Sequence, residues 1–184
     1  MLHDVIFVLY FALPGAIANM APVFAAKGNW APFLDKPVDF GLTVRGRRIL
    51  GDHKTFRGFV FGYVFAQVFI FLQAWLYHSV EGVREFSNID YQELSLVVLA
   101  LLMTLGALGG DAIKSFFKRQ IGIKPGHTWV PFDQIDSVLG LMVVCGLYLD
   151  LSPTTWVLGF VVGSLLHPAA TTIGWVLKLK DEPF

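Results

Sequence analysis

Charge is scarce in this chain: only 15% of its 184 residues are Asp, Glu, Lys or Arg, and the formal net charge is +0. That zero total carries no information about partners, because the charges are unevenly placed; no nucleic-acid partner is expected. Cysteine is almost absent. Cys145 stands alone in an apolar run, which excludes an intrachain disulfide, and no Cys/His group has zinc-like spacing. A basic n-region is missing too, since only His3 and Asp4 precede the first apolar stretch. The Ala16-Ile17-Ala18 triplet, which looks like a cleavage site, therefore reads as part of a retained span. The tail from Lys178 to Phe184 carries no lipidation or retention signal. What is abundant is apolar: 55% hydrophobic residues, 17 Phe and a mean hydropathy of +0.61 place the chain among integral membrane proteins.

Apolar segments run from Val5 to Ala26, Phe56 to Val80, Leu94 to Gly110, Ser137 to Leu149 and Thr154 to Leu177. They predict an all-α integral membrane protein of about five transmembrane helices, forming one membrane-embedded domain over residues 1–184. Of the 14 Lys and Arg residues, all but Arg84 fall in Lys27–Arg57, Lys114–Lys124 or after the last span. By the positive-inside rule the N-terminus is outside, the C-terminus is inside and the two polar loops are cytoplasmic.

Polar residues inside apolar spans need partners. Asn19, beside Pro14 and Pro22, reads equally as an interhelical hydrogen-bonder or a ligand contact, and Gln67 reads as an interhelical hydrogen-bonder. His167-Pro168, near the middle of the last span, predicts a broken helix. The loop from Lys27 to Thr55 predicts irregular structure with one short helix near Trp30, Phe33 and Leu34. Its Arg45, Arg47 and Arg48 suit anionic headgroups. Lys54, Thr55 and Arg57 then crowd the start of the second span, where free N–H groups and the helix dipole make a phosphate cradle. The external loop from Glu81 to Glu93 reads as a connector.

The densest charge lies between Gly110 and Asp136. Asp111, Lys114, Ser115 and Lys118 recur at helical spacing if the third span continues to about Arg119. Intrahelical pairing accounts for Asp111 and Lys114, but leaves Lys118, Arg119 and Lys124 unpaired unless an anion arrives. The fourth span is short: from Asp136 to Asp150 a helix covers only about 21 Å against a hydrocarbon core of about 30 Å. With Asp150 at the outer surface, Asp133 and Asp136 are drawn below the cytoplasmic headgroups. Two such carboxylates on one helix face call for a cation, and magnesium or manganese suits them; an N-cap Asp133 with Asp136 in the first turn is the other reading.

The run S-x-x-K-R-x-x-x-x-K-P-G followed by D-Q-x-D, from Ser115 to Asp136, resembles the signature of the CTP-dependent phosphatidate cytidylyltransferases. Gly110-Asp111 and Lys54-Thr55-Phe56-Arg57-Gly58 are similar to further motifs of that family. The small size and the K-T-x-R-G motif resemble its archaeal branch, the CDP-archaeol synthases. Pro125 and Gln134 stand where the longer enzymes typically have Asp and Arg. The resemblance implies membrane phospholipid biosynthesis: a lipid phosphate attacks the α-phosphorus of CTP, pyrophosphate leaves, and Mg2+ or Mn2+ assists. It implies metal ligation by Asp133 and Asp136, with Asp111 as a third candidate. Lys118, Arg119 and Lys124 would act on the reacting phosphates, and Asn19, Lys54, Thr55, Arg57 and Ser115 would help to hold the substrates. No protein nucleophile is needed, because the lipid phosphate is already anionic. Two other readings are a CTP-dependent lipid kinase of the dolichol type and a small transporter lined by Asn19, Asp136 and His167. Against the transporter stand the lack of an internal repeat and the gathering of charge on one side.

Overall fold

Among the described residues six α-helices account for most of the structure: α1 (Leu2–Lys27), α2 (Phe56–Ser79), α3 (Glu81–Phe86), α4 (Leu96–Gln120), α5 (Phe132–Gly146) and α6 (Pro153–Val176). This computed structural model describes residues 2–124 and 127–176, apart from the side chains of 167–171 and 173–176. The expected contribution of Lys178 and Lys180, and the side chain of His167, lie outside the described residues. Helices α1, α2 and α4 are long and apolar enough to cross a membrane. Helix α5, with 15 residues, covers only about 22 Å at about 1.5 Å per residue.

Local signals in the sequence set the helix ends. Thr55 caps α2 by accepting the Gly58 N–H at 3.2 Å. Ser95 caps α4 through Val98, and Pro153 opens α6 where its missing N–H is harmless. Helix α1 runs through Pro14 and Pro22 without a break. Helix α6 is likewise continuous across His167-Pro168, which corrects the expectation of a broken helix there; a proline in a membrane helix removes a backbone hydrogen bond without having to end the helix.

Helices α1 and α4 each pack antiparallel to α2 through small residues. Pro22 of α1 meets Gly58 of α2, and Ala18 meets Gly62, while Leu108 of α4 also reaches Gly62. The core is built largely of Ala18, Ala66, Ala74, Ala100, Met103 and Leu141, with Phe7 and Phe11 stacked at 5.8 Å. Large side chains such as Val68, Phe71, Trp75 and Val157 point outward instead. Lipid is as apolar as such side chains, so helix association relies on close backbone approach.

At one end of the bundle, buried Gln73 of α2 donates to the Tyr10 carbonyl and accepts from Tyr91 at 3.3 Å, while Tyr10 donates to the Gln73 carbonyl at 2.7 Å. Gln67, the expected interhelical bonder, accepts from Tyr63 at 3.0 Å and reaches the Leu96 carbonyl. The loop expected to be a plain connector contains α3 at this end.

At the other end, the segment between α1 and α2 is more ordered than its composition suggests. A 3-10 turn at Pro32–Leu34 is followed by a two-stranded hairpin, β1 (Thr43–Val44) and β2 (Arg47–Arg48). Arg45 and Gly46 form its two-residue turn, both with positive φ (53° and 74°), the geometry that suits the twist of hairpin strands. Asp39 organises the segment. One carboxylate oxygen accepts from Gly41 N (3.1 Å) and Arg48 (3.0 Å), and the other from Leu50 N (2.9 Å) and Gly51 N (3.4 Å). Arg48 also pairs with Asp52, and Arg47 donates to the Gln120 carbonyl. The three arginines expected to face headgroups thus divide: Arg47 and Arg48 hold the loop, and Arg45 sits at the exposed hairpin tip.

Candidate functional site

Glycine brings α4 and α5 together where the charges lie. A Cβ on Gly106 would sit 2.7 Å from the Leu141 Cα, and one on Gly140 would sit 2.9 Å from the Gly110 Cα. Gly110 itself abuts the Asp136 carbonyl. Only backbone without side chains can approach so closely. The contact places Asp111, the next residue on α4, beside the first turn of α5.

Three carboxylates converge there on one ammonium. Lys114 Nζ lies 3.0 Å from Asp111, 2.9 Å from Asp133 and 2.6 Å from Asp136. Lys54 joins from the start of α2 by pairing with Asp111. Lys118 lies 3.1 Å from both Asp133 carboxylate oxygens and donates to the His127 carbonyl at 2.5 Å. Asp133 also accepts the Trp129 N–H, and Asp136 Oδ1 accepts the Ser137 N–H at 2.6 Å. Lys118 is therefore paired without any anion, contrary to the sequence expectation. Its charge finds Asp133 because the turn after α4 folds back on the helix.

The other expected residues divide. Ser115 is buried on α4 beside the cluster. Arg119 donates to the Ile123 carbonyl at 2.7 Å, so it too has a local partner. Lys124 is exposed in the following turn, and Asn19 is half-buried on α1. The proposed cradle at the head of α2 is split: Lys54 enters the cluster, the Thr55 hydroxyl is used as the helix cap, and buried Arg57 pairs with Asp35 at 2.9 Å. Asp133 does not cap α5; Pro131 occupies that position and Asp133 lies in the first turn. The central position of Lys114 was not foreseen, although its i,i+3 spacing from Asp111 is visible in the sequence. The G-x-x-x-G pattern at Gly106–Gly110 was the available signal for the helix contact.

Among the described residues no three His, Cys, Asp or Glu side chains form a ready-made metal cage. The carboxylates are held around Lys114 instead. The donor set still fits a hard divalent ion that keeps substrate and water ligands, since magnesium commonly takes one or two protein carboxylates. Asp136 Oδ2 supports that fit: it is buried, and its contact with Lys114 is an ion pair without a directed hydrogen bond.

Long apolar helices that close around a lysine–aspartate cluster at one end define a multi-pass, predominantly helical membrane protein with a charged site at one end of its bundle. Comparison with known proteins narrows that class. A family model described as "CarS-like: CDP-archaeol synthase" matches residues 1–184. The CDP-archaeol synthase of Pyrococcus furiosus is 33% identical over 187 residues, covering 100% of both chains. That of Methanosarcina barkeri is 36% identical, covering 94% of this chain and 99% of its own. A solved structure of an intramembrane enzyme for archaeal membrane lipid biosynthesis superposes with a TM-score of 0.70 at 32% identity, covering 90% of this chain and 93% of that one. The chain belongs to the CarS-like CDP-archaeol synthase family.

Proposed function

We propose that the protein is a CTP:lipid-phosphate cytidylyltransferase that forms CDP-archaeol from CTP and 2,3-bis-O-geranylgeranylglycerol phosphate. The observation that carries this reading is the convergence of Asp111, Asp133 and Asp136 with Lys54, Lys114 and Lys118 at one end of the helix bundle. A lipid-phosphate oxygen attacks the α-phosphorus of CTP, the bond to the β-phosphate oxygen breaks, and pyrophosphate departs. The anionic lipid phosphate needs no general base. The required work is orientation and neutralisation of negative charge, which Lys54, Lys114 and Lys118 supply from three positions.

Asp133 and Asp136, with Asp111, would hold Mg2+ or Mn2+. Bound there, the ion would draw negative charge from the phosphates. Ser115 on α4 lies next to Lys114 and would help to hold the substrates, as would Asn19 on α1, while Arg119 in the last turn of α4 and Lys124 in the turn after it would meet a soluble nucleotide as it approaches. Arg57 acts through Asp35, fixing the loop that carries Lys54.

The topology that suits this chemistry has five spans, with the N-terminus outside and the site facing the cytoplasm. Its support is that both basic loops meet at one end of the bundle, through Arg47 with Gln120 and Lys54 with Asp111. The short α5 recesses that end below the headgroups of a hydrocarbon layer about 30 Å thick. The lipid phosphate then stays near its natural depth, and the nucleotide descends to it.

The test is isotopic. Proteoliposomes receive the lipid phosphate, Mg2+ and CTP labelled at either the α or the γ phosphorus. Label should enter lipid from the α position and leave as pyrophosphate from the γ position. Transfer of γ label to lipid would instead identify a lipid kinase and overturn the proposal. Asp133→Asn and Asp136→Asn should each abolish nearly all α-label transfer while the protein still purifies as a folded species.

A further inference from the structure

The lysine–aspartate cluster balances itself. Asp111, Asp133 and Asp136 face Lys54, Lys114 and Lys118, so three acids meet three bases within one network of ion pairs. Lys114 differs from its neighbours because it alone touches all three carboxylates, at 2.6–3.0 Å. Among the described residues Lys54 pairs with Asp111, and Lys118 with Asp133 and a backbone carbonyl. Lys114 also reaches the cluster from the middle of a helix turn, between Asp111 and Ser115. A small rotation of its flexible stem can move the ammonium without moving the backbone.

We propose that Lys114 is the resident counter-cation of the carboxylates and is exchanged when substrate binds. In the substrate-free protein its ammonium neutralises Asp111, Asp133 and Asp136 and competes with a divalent ion for them. When ion and nucleotide arrive together, the carboxylates pass to the ion and the ammonium turns to the triphosphate. Neither half of the exchange proceeds well alone. An ion arriving by itself would strand a lysine charge in a half-buried site, and a nucleotide arriving by itself would strand the carboxylates. Metal and nucleotide binding are thereby coupled, and the coupling is reciprocal. The exchange rests on the nucleotidyl-transfer reading for its second half, whereas the competition between Lys114 and a divalent ion does not.

That competition can be measured without nucleotide. Full-length protein in detergent micelles is titrated with Mn2+, and bound ion is followed by loss of the free-ion electron paramagnetic resonance signal. The wild type should bind Mn2+ weakly. Lys114→Gln should bind it more tightly by about tenfold or more, because one unit of positive charge within contact distance has gone. Lys114→Arg retains that charge and should bind as weakly as the wild type. Equal Mn2+ affinity in Lys114→Gln and wild type would overturn the proposal. Should Lys114→Gln prove unstable in metal-free buffer, added Mn2+ must restore its thermal stability more than it raises that of the wild type; failure of that restoration overturns the proposal equally. A protein that shows the predicted Mn2+ difference but transfers no α label would refute the cytidylyl-transfer reading while leaving the counter-cation in place.

Discussion

Substituting Gly140 by Ala tests whether the α4–α5 contact sets the geometry of the charged site. The new Cβ would lie 2.9 Å from the Gly110 Cα, where ordinary contact begins at 3.4 Å, and it would press harder still on the Gly106 carbonyl. Both obstacles are backbone, so no side chain can swing away. The helices must separate by about half an ångström or more, and overpacking of this kind costs about 1–3 kcal/mol. Alanine also favours a helix interior over glycine by about 1 kcal/mol, so the net loss is smaller than the strain itself. Gly109→Ala isolates the strain. A Cβ there meets nothing within 4 Å, so this variant gains the helix term alone, and the difference between the two variants should be about 1–3 kcal/mol. Function should respond more sharply than stability. Separation of α4 from α5 pulls Asp133 and Asp136 away from Asp111 and Lys114, and since a 1 Å misplacement can cost about a hundredfold, half of that should cost about tenfold. Thermal unfolding in detergent micelles reads the first quantity and α-label transfer from CTP the second. The reasoning fails if Gly140→Ala keeps wild-type transfer, or if both variants shift stability by the same amount.

The end of the bundle away from the site should behave independently. Gln73→Leu removes the donor to Tyr10 and the acceptor for the buried Tyr91 hydroxyl; it should lower stability by about 1–3 kcal/mol while label transfer per folded molecule stays unchanged. A loss of transfer without loss of stability would contradict the separation of the two ends. Asp39 predicts an acid dependence in the loop between α1 and α2. Burial by itself would raise its carboxyl, but the N–H groups of Leu50, Gly41 and Gly51 and the Arg48 guanidinium outweigh burial and hold it below the ordinary value of 3.8. A depressed folded value means that its stabilisation is present above 3.8 and is lost as pH falls through the folded value. Amide-exchange protection at Leu50 and Gly51 should therefore weaken in acid in the wild type. In Asp39→Asn it should be weak throughout and show no such dependence; an identical acid response in the two proteins would remove Asp39 from this role.

Much of the architecture was readable along the chain because membrane helices announce themselves through uninterrupted apolar length. The apolar segments starting at Val5, Phe56, Leu94, Ser137 and Thr154 each fall on a helix, and Thr55 marks the head of α2 through its hydroxyl. Features that depend on pairing across the chain were less legible. The Arg45-Gly46 hairpin turn lacks the usual Asn or Asp, and Asp39 reveals its purpose only when Leu50 and Gly51 fold back to it. His167-Pro168 reads locally as a break, yet the backbone of α6 runs on through it.

The same division holds at the site. Residue types and spacing alone pointed to Asp111, Lys118, Asp133 and Asp136 as one charged group, because such charges are costly beside hydrocarbon without a purpose. Which charge faces which was decided by tertiary structure. Gly106, Gly110 and Gly140 let two backbones touch, and that contact sets Lys114 among three carboxylates, while Arg57 pairs with Asp35 rather than joining the cluster. Electrostatic partners are chosen by distances of a few ångströms between helices, and those distances exist only after the helices have packed.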